Sequence, residues 1–331
     1  MSLDLAIGAE DVREAARMLA GVAVRTPLLE FPALNQAAGR RVLVKAEGLQ
    51  RTGSFKFRGA YNRMARIAPE RMAAGVVAWS SGNHAQGVAA AAQRLGMPAL
   101  IVMPSDAPAI KADNTRALGA EVVLYDRHAQ SREAIGMALA RERGATIVPP
   151  FDDPLIIAGQ GTVGLEIVAQ AQAAGAALGQ VLVCCGGGGL VAGTATAIKA
   201  AAPSVEVYAV EPRAFDDTAR SLASGRREQV DPGARSICDA LMAPSPGVLT
   251  FPINRALLSG GLVVDDDQVC EAMRFAFQAM KLVVEPGGAV ALAAALHGLA
   301  PAAEGDLAVV LSGANVDAAQ FAEILGGGGG A

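Results

Sequence analysis

Short apolar runs, each followed by a stretch with helical periodicity, recur along most of this chain. This alternation predicts parallel βαβ units, because two parallel strands need a crossover connection that is usually a helix. The runs are apolar throughout instead of alternating with polar residues, which is typical of strands covered by helices on both faces. The predicted strands span residues 41–47, 75–80, 98–104, 121–126, 180–185 and 205–212.

Length and spacing divide these units into two groups. The chain has 331 residues, of which 52% are hydrophobic and 18% charged, and such a length favours about two domains. Three compact strand–helix repeats lie between residues 75 and 147, and a second series begins near residue 155. We therefore predict a small three-layer αβα domain, residues 71–149, inserted into a larger one, residues 1–70 and 150–325, with a flexible tail at residues 326–331.

Composition excludes several classes of protein. The net charge is −4, and the chain has no basic patch interleaved with aromatic residues, so nucleic-acid binding is not expected. The N-terminus lacks the basic start and apolar run of a signal peptide, and no apolar stretch is long enough to predict a membrane span. The four cysteines have no metal-ligand spacing, so we expect reduced thiols and a cytoplasmic location.

A run of four glycines joins one predicted strand to the helical pattern that follows it. In Gly186–Gly189 the backbone N–H groups can turn inward, and the following helix adds its positive end, which together favour a phosphate site. The run also contains the pattern GxGxxA, from Gly187 to Ala192, and Glu211 lies near the end of the next strand. An NAD-dependent dehydrogenase is therefore an open alternative on this motif alone.

Polar residues follow two further predicted strands. In the segment SSGNHAQG they stand at the start of a helix, where backbone N–H groups and hydroxyls favour a substrate carboxylate. In the segment LSGANVD a serine ends the last buried strand at the carboxyl edge of the sheet, where ligands of open α/β sheets bind. The polar side chains at these two strand ends are Ser80, Ser81, Asn83, His84 and Ser312.

The segment GSFKFRGA places a lysine between two aromatic residues at a predicted helix start. Ser54 is a suitable N-cap, which would put Lys56 in the first turn. The positive helix end and the apolar flanks Phe55 and Phe57 disfavour the ammonium form. A lysine with a lowered pKa is a nucleophilic amine suited to a Schiff base. A lysine that extends from the helix start into solvent is the structural alternative.

These four motifs, in this order and spacing, resemble those of the fold-type II pyridoxal-phosphate enzymes, whose fold is like that of tryptophan synthase β. Within them the chain is similar to the serine/threonine dehydratase and serine racemase group, from about residue 20 to residue 320. The resemblance implies a cytoplasmic homodimer that uses pyridoxal 5'-phosphate. It also implies β-elimination of L-threonine and/or L-serine, small amino acids, to a 2-oxo acid and ammonia.

The resemblance also assigns roles to residues. Lys56 would form the Schiff base with the cofactor and move the substrate's α-proton, and Ser81 would work on the opposite face of the ring, as in serine racemases. Phe55 would lie against the pyridine ring, Asn83 would bond its 3-hydroxyl, and Ser312 would face its nitrogen. The remaining positions implied for the phosphate, the surroundings of the ring and the substrate are Gly186, Gly187, Gly188, Gly189, Leu190, Glu285, Ser80 and His84.

The choice of substrate stays open at this point. Ser81 raises the possibility of serine or aspartate racemisation. Arg132 matches an arginine that reaches the substrate region in the racemase group, and it could favour a second carboxylate, as in 3-hydroxyaspartate. An exposed helix arginine is the alternative for this position. A protein that keeps the fold without catalysis is the remaining alternative.

The segment EPRAFDD is similar to the family's site for a divalent cation. Glu211 and Asp217 would supply carboxylate oxygens, with the carbonyl of Phe215 and waters completing the coordination of Mg²⁺ or Ca²⁺. This role for Glu211 competes with the ribose-binding role that a dehydrogenase would give it.

Overall fold

A computed structural model describes residues 5–80, 82–106, 109–126 and 129–327, with the backbone alone at residues 109 and 110. The predicted strands are confirmed, to within one or two residues at each end. The strands are β1 (Leu28–Glu30), β2 (Val42–Ala46), β3 (Val76–Trp79), β4 (Ala99–Pro104), β5 (Glu121–Tyr125), β6 (Thr146–Ile147), β7 (Leu178–Cys184), β8 (Glu206–Pro212), β9 (Gly260–Val264) and β10 (Asp306–Leu311).

Helices connect almost all of these strands and cover both faces of the sheets. Small residues dominate several of them, so neighbouring helices can approach closely. The helices are α1 (Ala9–Leu19), α2 (Pro32–Ala38), α3 (Lys56–Met64), α4 (Pro69–Met72), α5 (Asn83–Leu95), α6 (Ala109–Ala117), α7 (Arg132–Arg143), α8 (Pro154–Ala173), α9 (Gly189–Ala201), α10 (Asp217–Ser224), α11 (Thr250–Leu257), α12 (Asp266–Phe275), α13 (Pro286–Leu296) and α14 (Ala318–Leu325).

The strands form two sheets. A six-stranded sheet has the order β1-β2-β10-β7-β8-β9, and it is parallel except for β1 against β2. A four-stranded parallel sheet has the order β5-β4-β3-β6, and its strands all lie within residues 76–147. The α/β fold with two sheets is thus confirmed, while the exact domain boundaries remain a prediction.

The core follows from the alternation of side chains along the central strands. Val42 and Val44 of β2 face α12 and α13, whereas Leu43 between them faces α8 and α9. Helices α8 and α9 approach so closely that a Cβ at Gly193 would lie 2.2 Å from the carbonyl oxygen of Ile157. The glycine-rich and alanine-rich composition therefore serves close helix packing over the sheet.

Each sheet contains one point where the strand order reverses. In the six-stranded sheet the chain proceeds from β7 to β8 and β9, and β10 then lies on the other side of β7. In the four-stranded sheet β4 and β5 lie on one side of β3, and β6 lies on the other. Crevices outside the carboxyl ends of strands at such points are where open α/β sheets bind ligands.

Candidate active site

The loops at these two reversal points line one cavity of about 540 Å³. The glycine run follows β7, and Ser312 follows β10. Ser80 and residues 82–84 follow β3, and Pro150 and Phe151 follow β6. The structure therefore brings together the strand-end motifs that the sequence predicts, with Lys56 among the lining residues. Ser81, the predicted catalytic serine, lies outside the described residues.

Lys56 is the first residue of α3, and its amine is buried against the cavity wall. The Nζ atom donates a hydrogen bond of 2.8 Å to the carbonyl oxygen of Pro150 and lies 5.2 Å from the centre of the Phe55 ring. Burial lowers the pKa of Lys56 to about 8, although the nearby Glu285 carboxylate raises it. The amine is thus deprotonated far more readily than a surface lysine.

The prediction that Ser54 caps α3 is wrong. Ser54 is in extended conformation and pairs with Gly313 as an isolated β-bridge, and its hydroxyl has no partner in the described structure. Phe55 precedes the helix instead, and its N–H donates to the carbonyl oxygen of Ser312. This pairing fixes the start of α3 to the end of β10, which a local capping pattern could not reveal.

The glycine run makes a cradle in front of α9. A Cβ at Gly187 would lie 2.4 Å from the Phe151 ring, and Gly188 has a φ of 91°, which favours glycine. Because α9 begins at Gly189, its first N–H groups have no partners within the helix and point outward. These backbone donors, with Leu190, fit an anion such as a phosphate group.

Asn83 at the start of α5 is held from two sides. Its Nδ2 donates to Oε1 of Glu285 at 2.6 Å, and its Oδ1 accepts from Nδ2 of Asn315, also at 2.6 Å. The second N–H of the Asn83 side-chain amide remains available to a ligand. Burial raises the pKa of Glu285 to about 7. Sequence reasoning missed Asn315, although it stands within the predicted segment LSGANVD.

The other residues after β3 and β10 also line the cavity. The Nε2 atom of His84 lies 2.9 Å from the carbonyl oxygen of Val148. Because a carbonyl oxygen only accepts hydrogen bonds, Nε2 carries the proton. Burial first, and the Lys56 charge second, lower the pKa of His84 to about 3, so the ring is neutral. The Ser80 hydroxyl accepts from the N–H of Gly82 at 3.2 Å, and Ser312 is buried at the end of β10.

Charged and partly exposed side chains from two helices and a 3-10 helix also line the cavity, and we call this part of the lining its mouth. Arg132 begins α7, its side chain is 46% exposed, and its Nε donates to Glu133 at 2.8 Å. Lys111 of α6 forms a 2.6 Å ion pair with Asp239, which lies in the 3-10 helix Asp239–Leu241. Sequence reasoning missed this pair, because its members are far apart in the chain and belong to no motif.

The residues predicted to bind a divalent cation lie at the end of β8 and in the segment that follows it. Glu211 is buried, and its two carboxylate oxygens accept from the N–H groups of Thr218 at 3.0 Å and Ala219 at 2.8 Å. Both oxygens of buried Asp217 lack partners in the described structure. Burial raises the pKa of Glu211 to about 8 and that of Asp217 to about 7. The unpartnered oxygens of buried Asp217, close to the buried Glu211 carboxylate, fit a cation, although no group of three acidic, histidine or cysteine side chains stands here among the described residues.

The same geometry disfavours the dehydrogenase alternative. Glu211 is buried against the start of α10 and is not among the described residues that line the cavity beside the glycine run, where a ribose would lie. Among the described residues, no helix is long and apolar enough to cross a membrane.

Comparison with known proteins agrees with the site. A family model described as "Pyridoxal-phosphate dependent enzyme" matches residues 19–313. The chain is 45% identical to the L-threo-3-hydroxyaspartate ammonia-lyase of Pseudomonas sp, over 96% of this chain and 98% of the relative. The crystal structure of a threonine deaminase from T.th. is 47% identical, with a TM-score of 0.88 over 94% of this chain and 99% of that one.

The structure of maize serine racemase is 36% identical, with a TM-score of 0.91 over 96% of both chains. These relatives include lyases and a racemase, and the two solved structures share the fold of this chain. The chain therefore belongs to the pyridoxal-phosphate dependent enzymes, among their ammonia-lyases and amino-acid racemases.

Proposed function

We propose that this chain is an ammonia-lyase that removes water from a β-hydroxy amino acid, with L-threo-3-hydroxyaspartate as its preferred substrate. The observation that carries the proposal is the pair of cationic side chains, Lys111 and Arg132, at the mouth of the cavity that contains Lys56. A second carboxylate on the substrate would pair with one of these cations in exchange for the carboxylate that the cation now bonds. The 45% identity to a lyase of this specificity supports the same choice.

The residues present fit pyridoxal phosphate. The glycine run would hold its phosphate, Asn83 would donate to the ring oxygen, Phe55 would lie against the ring, and Ser312 would face the ring nitrogen. When bound, this cofactor supplies an electron sink for the pair of electrons left when the α-proton departs.

The side chains of the cavity can perform the remaining steps. The start of α5 would bind the α-carboxylate through its N–H groups, beside the neutral His84. Lys56, with its pKa near 8, can accept the α-proton in its amine form. Loss of the β-hydroxyl as water, followed by hydrolysis of the released enamine, would yield oxaloacetate and ammonia from 3-hydroxyaspartate.

L-threonine and L-serine, which the sequence favours, are the second candidate substrates. Both mouth cations already have carboxylate partners, since Lys111 pairs with Asp239 and Arg132 with Glu133. The mouth is therefore close to neutral, which suits a substrate without a second charge. The 47% identity to a threonine deaminase structure supports this candidate. Racemisation would need a proton carrier on the second face, and Ser81, the predicted carrier, lies outside the described residues.

Three accompanying properties remain predictions. Glu211, Asp217 and the Phe215 carbonyl would hold a Mg²⁺ or Ca²⁺ ion that supports the fold after β8. A homodimer and a cytoplasmic location are expected from the family resemblance, and the mass of the purified protein in solution tests the homodimer.

The proposal is tested by assaying the purified protein with pyridoxal phosphate. We expect 2-oxo acid and ammonia from L-threo-3-hydroxyaspartate with a higher kcat/KM than from L-threonine or L-serine, and little D-isomer from any of them. Lys56→Ala should lose both activity and the absorption band of the bound cofactor. A protein that stays colourless with added pyridoxal phosphate, or that prefers L-threonine, would contradict the proposal.

A further inference from the structure

We infer that Lys111 binds the distal carboxylate of the substrate, and that Asp239 occupies its place until the substrate arrives. This inference rests on the proposed function, because it names the residue that would set its specificity. Lys111 and Asp239 both line the catalytic cavity, and their side chains meet at 2.6 Å. The pair joins α6, which packs against β5 of the four-stranded sheet, to the 3-10 helix Asp239–Leu241, which packs against α13.

Burial distinguishes Lys111 from the other cation at the mouth. The Lys111 side chain is 18% exposed, whereas that of Arg132 is 46% exposed. Arg132 bonds to the adjacent residue Glu133, at the surface end of α7, where water screens the charge. A carboxylate that reaches Lys111 gains a less screened ion pair, so Lys111 is the stronger determinant of specificity.

Asp239 carries a carboxylate, which is the same chemical group as the distal carboxylate of the substrate that would replace it. Its carboxylate bonds Lys111 as the distal carboxylate of 3-hydroxyaspartate would, and at 55% exposure it can turn into solvent at small cost. Replacement of one carboxylate by another leaves Lys111 paired throughout. A neutral side chain, as in L-threonine, has no such exchange to make and would leave the Lys111–Asp239 pair in place.

This arrangement has a consequence for selectivity. Specificity is a difference between two affinities, and Lys111 acts on only one of the two substrates. A substitution at Lys111 should therefore change the reaction with dicarboxylic substrates and leave the reaction with L-threonine almost unaltered. A general structural role for the ion pair would instead weaken both reactions together.

The test compares the holoenzyme with Lys111→Met, Lys111→Arg and Arg116→Met. Arg116 is a matched control on the same helix, paired with Asp113 at the surface. We expect Lys111→Met to raise KM for L-threo-3-hydroxyaspartate about 10- to 100-fold, the loss of one charge-assisted hydrogen bond, with kcat and the L-threonine reaction changed less than about threefold. Lys111→Arg should restore most of the affinity, and Arg116→Met should have no effect.

Asp239→Asn provides a test in the opposite direction. Without the competing carboxylate, Lys111 is freely available, so we expect KM for the dicarboxylic substrate to fall. The inhibition constants of malonate and succinate should fall in the same variant and rise in Lys111→Met. These two inhibitors measure binding of the distal carboxylate even if the enzyme turns over a different substrate.

The outcomes separate this inference from the proposed function. If the wild type prefers L-threonine, the proposed function is wrong. The role of Lys111 in binding a distal carboxylate is then tested by the inhibition constants of malonate and succinate alone. If the wild type prefers 3-hydroxyaspartate but Lys111→Met keeps that preference, the inference is wrong and the function stands. A larger rise in KM for L-threo-3-hydroxyaspartate in Arg132→Met than in Lys111→Met would also overturn the inference.

Discussion

Two clusters of buried charge in this protein differ in whether their charges have partners. The first, which we call the four-charge network, consists of Lys45, Glu47, Arg58 and Glu166. The second, the carboxylate pair, consists of Glu211 and Asp217. The network combines two cations with two carboxylates, whereas the pair places two groups of the same sign beside each other.

Every charge of the network is satisfied. Arg58 bonds Glu47 through Nε and one terminal nitrogen, both at 2.8 Å, and it bonds Glu166 at 2.7 and 2.9 Å. Lys45 donates to Glu166 at 2.6 Å and to the carbonyl oxygen of Thr26 at 2.6 Å. The network thereby ties β2 and α8 to α3, the helix that carries Lys56.

The carboxylate pair lacks such partners. Glu211 has only backbone N–H donors, and Asp217 has none for its side chain in the described structure. Burial is the first cause of the raised pKa of each group, and the Asp217 charge adds to it at Glu211. The difference indicates that the network is complete as a structural element, while Asp217 in the pair has buried oxygens that the proposed cation would satisfy.

The largest expected effect comes from breaking the network. Arg58→Met leaves Glu47 buried without its guanidinium partner and removes one of the two cations that bond the half-buried Glu166, which should lower the free energy of unfolding by about 3–5 kcal/mol. The matched control is Arg143→Met, which removes an equally bidentate but exposed pair with Glu121 and should cost about 0–1 kcal/mol. Denaturant unfolding measures both values. If the two variants lost the same free energy of unfolding, burial would not be the reason why the network stabilises the fold.

The second effect concerns the pair and a divalent cation. If the pair binds Mg²⁺ or Ca²⁺, adding the ion at about 100 times its Kd should stabilise the fold by about 2.7 kcal/mol, and a chelator should remove that gain. Glu211→Gln and Asp217→Asn should each abolish the response of Tm to the ion. A Tm that rises equally in wild type and in these variants would place the ion elsewhere.

The pH dependence of stability should have opposite signs in the two clusters. The pKa values of the pair are raised to about 8 and 7, so its contribution in the absence of a cation is fully present below about pH 4 and is lost as pH rises toward 8. The Arg58 charge holds the pKa of Glu47 below its usual value despite burial. The contribution of Glu47 to stability is therefore present above about pH 4.5 and is lost as the pH falls below it.

Unfolding measured from pH 4 to 8 in the presence of a chelator tests this sign. The Glu211→Gln, Asp217→Asn double variant should show a smaller loss of stability toward pH 8 than the wild type. The remaining slope in that variant would reflect Glu285, whose raised pKa acts in the same direction. A double variant that follows the wild type throughout would contradict the assignment of the raised pKa values to the pair.

The sequence predicted the parts of the site that local patterns determine. The strand–helix alternation placed the glycine run, Asn83 and Ser312 at strand ends, and the topology of the two sheets then brought them to Lys56. The four-charge network was not predicted. Arg58 stands two residues after Lys56 in the quoted segment GSFKFRGA, but its partner Glu166 is distant in sequence, and no periodicity links them.

The errors have the same physical origin. Ser54 has the residue type of an N-cap, but a long-range pairing with Gly313 takes it out of the helix. Lys111 and Asp239 belong to no motif and meet only because the fold brings α6 and the 3-10 helix together at the cavity. Contacts between distant segments therefore decide which polar residues are satisfied, and a single sequence does not contain that information in local form.

The smallest expected effect tests whether charge, and not hydrogen-bond number, gives the network its strength. The Thr26 hydroxyl donates to Oε1 of Glu47 at 2.5 Å, while Glu47 keeps both of its bonds to Arg58. Thr26→Val preserves the shape of the side chain and the backbone carbonyl that accepts from Lys45. It should therefore lower the free energy of unfolding by only about 1 kcal/mol, and Thr26→Ser should lower it by less. If Thr26→Val cost as much as Arg58→Met in the same unfolding experiment, Glu47 would depend on the hydroxyl as much as on the guanidinium. The contrast with the carboxylate pair would then rest on the number of donors around each carboxylate, and not on the presence of an opposite charge.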